Sequence, residues 1–300
     1  MSLLRSTRGR GLSGLAWLAP VLGLGAAEPA TAPAPTTDRP SFVRFVADGN
    51  VAGRVETAVK EYRNEEGLTV ILFGVVHIGD GGYYQELQRR FRDCDVLLYE
   101  MIRDPGPAHV PLEIDTANPV SQLQIGMKRL LALEFQLDAI DYTPGNFVHA
   151  DLDPTTFARL QAERQESLLS LMIRVMLEEQ ARLQTGEGTT VSSLGLLLAL
   201  MNPDRAYALK LVLGRQMDQL EKMLAGIEQD GDGQGSVIVS ARNAHAMKVL
   251  EDQIQRGHQR LGIFYGAAHM ADFEQRLARL GFQPSSEEWL TAWDIRPRAR

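Results

Sequence analysis

The pattern of apolar and polar positions around residue 80 predicts a strand, a turn and a helix. An apolar run at 69–76 ends at His77, and a glycine-rich turn follows at 79–82. The residues after the turn are polar except for one apolar stripe with a four-residue spacing, which is typical of an amphipathic helix. That stripe comprises Tyr83, Leu87 and Phe91. A further apolar run at 96–99 predicts a second strand, which ends at Glu100.

The same pattern recurs in the last fifth of the chain. An apolar run at 261–265 ends in Gly-Ala-Ala-His at 266–269, and a helix is predicted at about 271–280. The carboxyl ends of parallel strands that are joined by helical crossovers lie on one edge of a sheet. We therefore expect His77, Glu100 and His269 to meet at that edge.

The other segments predict a mixed sheet interrupted by helices. Strands are predicted at 41–46, 55–62, 147–151, 237–240 and 289–295, and helices at 120–139, 153–184 and 192–227, the last broken at 202–204. The resulting fold class is α+β with α/β-like character, in which helices flank a central mixed β-sheet. A helical insertion at about 119–228 separates the core strands.

The composition favours one globular domain and disfavours a nucleic-acid partner. With 44% hydrophobic residues, a chain of 300 residues can bury a full core. A net charge of −7 lacks the basic face that contact with phosphates requires. Cys94 is the only cysteine, which excludes an intramolecular disulfide and a zinc site with several cysteines. We assign 41–296 to a single domain.

The first forty residues have the pattern of a targeting segment. Residues 1–27 combine three early arginines, a short apolar core and a small-residue end, which predicts a cleavable signal peptide. Residues 28–40 are rich in proline, alanine and threonine and predict a linker. The expected location is secreted or periplasmic, with an N-terminal membrane anchor as the alternative. No other apolar run is long enough to cross a bilayer, so no integral span is expected in the mature chain.

The residues at the predicted strand ends suggest catalysis with a metal. Two imidazoles and a carboxylate, here His77, His269 and Glu100, are a common set of catalytic-metal ligands that leaves one coordination position open. Such an ion acidifies water and polarises a carbonyl group. Glu100 is either the third ligand or a general base, and the sequence does not choose between these roles.

Three further residues are candidates for contact with a substrate. Arg242 and Asn243 follow the predicted strand at 237–240, where the guanidinium could bind a carboxylate or stabilise an oxyanion, or could form a buried ion pair with Glu100 or Asp151. His149 ends a short strand-like segment and is either a further site residue or a loop histidine. The sequence contains no HExxH pair, Gly-x-Ser-x-Gly elbow, phosphate-binding loop or dinucleotide fingerprint.

Four motifs together resemble a known family. They are GVVH at 74–77, Glu100, RNAHAM at 242–247 and GAAH at 266–269, in this order. This combination resembles the TraB/PrgY/GumN and Tiki family, over roughly residues 42–295. The resemblance implies an α+β fold shared with erythromycin-esterase-like and ChaN-like proteins, and a divalent-metal-dependent protease activity that favours manganese or cobalt. It also implies that His77, Glu100 and His269 form the active site.

The expected function is therefore that of a metal-dependent hydrolase, with a peptide or protein substrate and with manganese, cobalt or zinc as the cofactor. Arg242 and Asn243 would line the site. Two alternatives remain open at this point. One is a non-catalytic protein that sequesters a peptide in the same cleft, and the other is a metal-free esterase that uses a histidine as the general base.

Overall fold

The computed structural model describes residues 41–104, 131–166, 193–217 and 236–297. The strands are β1 (Val43–Asp48), β2 (Ala52–Arg63), β3 (Thr69–Val75), β4 (Ile78–Gly79), β5 (Val96–Tyr99), β6 (Glu134–Phe135), β7 (Phe147–His149), β8 (Arg260–Gly266) and β9 (Gln283–Ile295). The helices are α1 (Gly81–Phe91), α2 (Gln136–Ala139), α3 (Pro154–Glu163), α4 (Ser193–Met201), α5 (Arg205–Gly214), α6 (Arg242–Gln255) and α7 (Met270–Arg279).

Seven of these strands form one mixed sheet, which confirms the predicted α+β class. The strand order is β1-β2-β3-β8-β5-β7, and β9 pairs with β2. The four strands β3, β8, β5 and β7 run parallel to one another, whereas β1, β3 and β9 all run antiparallel to β2. A second, two-stranded sheet pairs β4 with β6.

The parallel half of the sheet delivers the candidate residues to one edge. In the pairing of β3 with β8, Val75 lies opposite Gly266, and in the pairing of β5 with β7, Tyr99 lies opposite His149. The carboxyl ends of these strands are therefore nearly level. The residues that follow them emerge together at the edge where parallel sheets build their sites.

The core explains why the sequence patterns were informative. Every residue of β3 and β5 is buried, which accounts for their uninterrupted apolar runs, because parallel strands are covered on both faces. The apolar stripe of α1 is buried as well. Its last member, Phe91, packs edge-on against Phe73 of β3 with ring centroids 5.1 Å apart. Burial of such a side chain stabilises the fold by roughly 2–3 kcal/mol.

One strand prediction is wrong, and the error matters for the site. Residues 237–241 form a π-helical turn that continues directly into α6 rather than a strand. The Ser236 hydroxyl accepts a hydrogen bond from the Val239 amide at 3.0 Å, which starts helical structure within a β-branched segment. Arg242 and Asn243 therefore enter the site from the N-terminal turn of a helix and not from a strand end.

The helix predicted at 153–184 ends earlier than expected, within the described residues. It begins as expected, with Asp153 as the N-cap that accepts from the Thr156 amide, but α3 ends at Glu163. Gln165 has a φ of 52°, which is left-handed and cannot continue a right-handed helix. The remainder of that prediction lies outside the described residues.

Two further helix predictions have different outcomes. The expected break at 202–204 is confirmed, since α4 ends at Met201 and α5 begins at Arg205. Of the helix predicted at 120–139, the described part is helical at Leu131 and again in the four-residue α2, and β6 interrupts it.

Among the described residues, no helix is both long and apolar enough to cross a membrane. The predicted signal peptide and linker lie outside the described residues.

Candidate functional site

His77 stands at the mouth of the site. It follows β3 and is exposed, whereas the six residues before it are buried. Its ring Nδ1 lies 3.1 Å from Oε1 of Gln136, and its carbonyl oxygen accepts a hydrogen bond from the Gln136 amide at 2.9 Å. The pairing of β4 with β6 produces this contact, because it places residues 134–136 beside residues 77–79.

Glu100 lies deeper, at the end of β5, with only 10% of its side chain exposed. Oε2 accepts a hydrogen bond from the Gly266 amide at 2.7 Å, and Oε1 accepts one from Nη2 of Arg242 at 2.7 Å. Burial raises the pKa of this carboxyl, but the neighbouring His269 and Arg242 lower it more, so the pKa falls to about 2. Glu100 is therefore a fixed anion near neutral pH.

His269 lies in a turn of 3₁₀-helix between β8 and α7 and is almost fully buried. Burial lowers the pKa of its imidazole to about 4, against a partly opposing effect of Glu100, and the ring is therefore neutral at neutral pH. Nε2 lies 3.5 Å from Oε1 of Glu100 and 3.5 Å from Nη1 of Arg242.

The tautomer of His269 follows from its neighbours. Nδ1 lies 2.7 Å from Oδ1 of Asn243. The orientation of that amide is settled by its nitrogen, which donates to the His269 carbonyl oxygen at 2.9 Å and to Oδ2 of Asp272 at 2.8 Å. The amide oxygen must therefore face the ring, so Nδ1 carries the proton and Nε2 carries the lone pair.

Arg242 links Glu100 to Asp151 through a buried network of ion pairs. Its Nε and Nη2 donate to the two carboxylate oxygens of Asp151 at 2.9 and 2.5 Å, and Nη2 also donates to Glu100. Burial opposes the charge of the guanidinium, but the two carboxylates raise its pKa well above its usual range. Arg242 is 7% exposed and Asp151 is 2% exposed, so both are held inside the fold.

Nε2 of His77 and Oε2 of Glu100 border the same space beside Gly266. A Cβ placed on Gly266 would lie 3.4 Å from His77 Nε2 and 3.4 Å from Glu100 Oε2, which are its nearest contacts outside residues 265–267. We call this space the Gly266 gap. The imidazole of the exposed His77 and the buried Glu100 carboxylate both face this space.

The structure thus brings together five of the six predicted site residues. His77, Glu100, His269, Arg242 and Asn243 are connected by hydrogen bonds, short contacts or the Gly266 gap. Asn243 is fully buried and its amide is engaged with His269 and Asp272, so in this arrangement it positions His269.

His149 stands apart from this cluster. Its Nε2 donates to the Met101 carbonyl oxygen at 2.6 Å, and its ring lies beside Tyr99 with centroids 5.6 Å apart. These contacts indicate a residue that supports the strand ends beside the site.

Sequence reasoning missed Gln136 and Asp272. Gln136 comes from a segment with no distinctive motif, and only the pairing of β4 with β6 brings it to His77. Asp272 lies three residues after His269 in the first turn of α7, where helical spacing could have suggested a link between them.

The predicted metal ligands fit a divalent ion poorly as they are arranged. Their chemistry is suitable, since manganese, cobalt and zinc all accept imidazole and carboxylate ligands. However, Arg242 hydrogen-bonds Glu100 and lies within 3.5 Å of His269 Nε2, so a permanent cation faces two of the three donors. Within the described part of the chain, no three His, Cys, Asp or Glu side chains are grouped so that they could hold a metal ion.

Comparisons of the chain with protein-family models, with curated proteins and with solved structures found no match. The resemblance to the TraB/PrgY/GumN and Tiki family therefore remains a prediction from the four motifs.

Proposed function

We propose that this protein is a hydrolase that cleaves a carboxylic ester or a peptide bond, with His77 as the general base. The observation that carries the proposal is the Gly266 gap, where Nε2 of an exposed imidazole and Oε2 of a buried carboxylate each lie 3.4 Å from the position of a Cβ on residue 266. Histidine is the commonest general base near neutral pH. Of the two site histidines, only His77 is open to an incoming substrate.

The chemistry starts from a water molecule in the Gly266 gap. Nε2 of His77 removes a proton from the water as its oxygen attacks the carbonyl carbon, and the imidazolium then returns that proton to the leaving alcohol or amine. Glu100 accepts a hydrogen bond from the water and stabilises the positive charge that develops on His77. Because Glu100 is already ionised and fixed by two donors, it needs no rearrangement during the reaction.

Arg242 and His269 have supporting roles in this mechanism. Arg242 keeps the Glu100 carboxylate in place and balances its charge, while Asp151 holds the guanidinium from the other side. His269 offers its Nε2 lone pair to the guanidinium at 3.5 Å and remains neutral. The cluster therefore presents one oriented carboxylate to the gap.

A panel of substrates tests this proposal. The full chain would be assayed with 4-nitrophenyl esters of increasing chain length and with a fluorogenic peptide library, beside the variant His77→Gln. The matched control is His258→Gln. His258 lies two residues before β8 begins at Arg260, at the opposite end of that strand from Gly266. We expect turnover by the wild type and the control, and a loss of at least ~100-fold in His77→Gln. Equal turnover by all three proteins would refute the role of His77, and stoichiometric capture of a peptide without turnover would favour the sequestering protein.

A metal-dependent peptidase is the second candidate, because the residue types at the site suit a divalent ion although Arg242 faces two of them. His77, His269 and Glu100 are the residue types that catalytic divalent ions bind, and the Nδ1 atoms of both histidines already have side-chain partners of the kind that support metal ligands. Elemental analysis after loading with manganese, cobalt or zinc separates the candidates. Near-stoichiometric metal that is lost in His77→Ala/His269→Ala would support this second candidate.

A further inference from the structure

Gln136 holds His77 at two points. Its backbone amide donates to the His77 carbonyl oxygen at 2.9 Å, and its side-chain Oε1 lies 3.1 Å from Nδ1 of the ring. Gln136 is 3% exposed although glutamine is usually a surface residue, so burial of its amide must be offset by these hydrogen bonds.

The other end of the Gln136 amide contacts Tyr142. Nε2 donates to the hydroxyl oxygen of Tyr142 at 3.1 Å. Tyr142 is itself buried and fixed by aromatic neighbours, with its ring centroid 5.2 Å from that of Tyr99 and 5.8 Å from that of Phe147. The structure thus places the amide nitrogen at Tyr142 and the amide oxygen at His77, and an amide oxygen in this position requires a proton on Nδ1.

We propose that Gln136 is a positioning residue that keeps the neutral His77 ring as the Nδ1–H tautomer, so that the lone pair of Nε2 faces the Gly266 gap. The use of that lone pair rests on the proposed function, but the tautomer itself does not. In the other tautomer Nε2 would carry a proton, and His77 could not accept one from a water in the gap.

The second histidine of the site shows the same arrangement with different residues. Asn243 places its amide oxygen 2.7 Å from Nδ1 of His269, and a carbonyl oxygen and a carboxylate hold its nitrogen. Two side-chain amides from unrelated segments thus face the two Nδ1 atoms. This repetition supports a requirement for lone pairs at both Nε2 atoms.

Nitrogen NMR of the imidazole rings tests the proposal without a substrate. The full chain, labelled with ¹⁵N-histidine and assigned with His77→Gln, would be examined by long-range proton–nitrogen correlation. We expect a protonated Nδ1 and an unprotonated Nε2 for neutral His77. The opposite pattern in the wild type would overturn the proposal, and this result needs no variant to fold.

Three variants then identify Gln136 as the cause. Gln136→Leu removes the acceptor and should shift His77 toward a mixture of tautomers, whereas Gln136→Glu keeps an acceptor and should restore the wild-type pattern. The matched control is Gln88→Leu. The side chain of Gln88 forms two hydrogen bonds with the backbone of Asp141, which lies five residues after Gln136, and neither bond involves His77. A wild-type pattern in Gln136→Leu, or the same change in Gln88→Leu, would refute a specific role of Gln136.

Kinetics separates the failure of this inference from the failure of the proposed function. With the 4-nitrophenyl ester that the wild type cleaves best, Gln136→Leu should lower kcat about tenfold, the shift that the loss of one hydrogen bond typically produces, and leave KM nearly unchanged. If the wild type has the expected tautomer but cleaves no substrate in the panel, the proposed function fails and the tautomer assignment stands.

Discussion

Replacement of Gly266 with alanine should abolish activity without destabilising the fold. Gly266 has φ −53° and ψ 141°, a region that alanine adopts without strain. Its added methyl group would make its closest contacts at 3.4 Å, with Oε2 of Glu100 and Nε2 of His77, which are ordinary van der Waals distances. The methyl group would nevertheless take up part of the gap in which the mechanism places water.

Gly266→Ala should slightly stabilise the fold and strongly reduce the activity. Substitution of alanine for glycine at a compatible position stabilises a protein by about 0.4–1 kcal/mol, because it reduces the conformational entropy of the unfolded chain. The hydrogen bond from the residue 266 amide to Glu100 is retained, so the charge network should be unchanged. Activity should fall at least ~100-fold, since the attacking water no longer fits beside its general base.

Urea unfolding and ester or peptide hydrolysis would be measured on the same preparations. Gly82→Ala is the matched control, because a Cβ on Gly82 would meet no atom within 4 Å and lies in α1, outside the gap. Full activity of Gly266→Ala would refute the placement of water in the gap. A loss of more than about 2 kcal/mol in its free energy of unfolding would show that the space at Gly266 is smaller than 3.4 Å contacts allow.

Three further outcomes are expected from the charge network. Arg242→Leu should lower the free energy of unfolding by about 3–5 kcal/mol in urea titrations, because it leaves the carboxylates of Glu100 and Asp151 buried without their cation; a loss below about 1 kcal/mol would contradict the network. The pKa of His269 is about 4 in the folded state against 6.5 for an unperturbed imidazole, so its contribution to stability is complete above pH 6.5 and lost as the pH falls toward 4. The loss, up to about 3 kcal/mol, should be absent in His269→Gln, and an equal slope in both proteins would refute the assignment. If Arg242 disfavours metal binding, Arg242→Ala should bind cobalt more tightly than the wild type does. Cobalt binding would be followed by visible absorption and by calorimetry. Equal affinity of the two proteins would show that the guanidinium does not oppose metal binding.

The sequence predicted the sheet edge well, for a clear physical reason. Fully buried parallel strands require uninterrupted apolar runs. The runs before His77, before Glu100 and before Gly-Ala-Ala-His at 266–269 stand out from the polar helices around them. Since parallel strands end on one edge, the meeting of His77, Glu100 and His269 followed from topology alone.

The sequence could not predict how the side chains are engaged at that edge. A β-branched segment at 237–241 resembles a strand locally, yet the Ser236 cap and the helix after it make it helical, and this determines how Arg242 enters the cluster. Gln136 reaches His77 only through the pairing of two-residue strands, which leave no periodic pattern. Both outcomes depend on contacts between segments that are distant in sequence.

The most direct test of the central claim is the rate of hydrolysis after complete removal of metal. The wild type and His77→Gln would be dialysed against a chelator, checked for residual metal by elemental analysis, and assayed on the best substrate before and after manganese, cobalt or zinc is restored. We expect the wild type to keep its full rate without metal and His77→Gln to have lost it. A wild-type rate that disappears with the metal and returns when the metal is restored would contradict His77 as a metal-free general base and establish the metal-dependent peptidase instead.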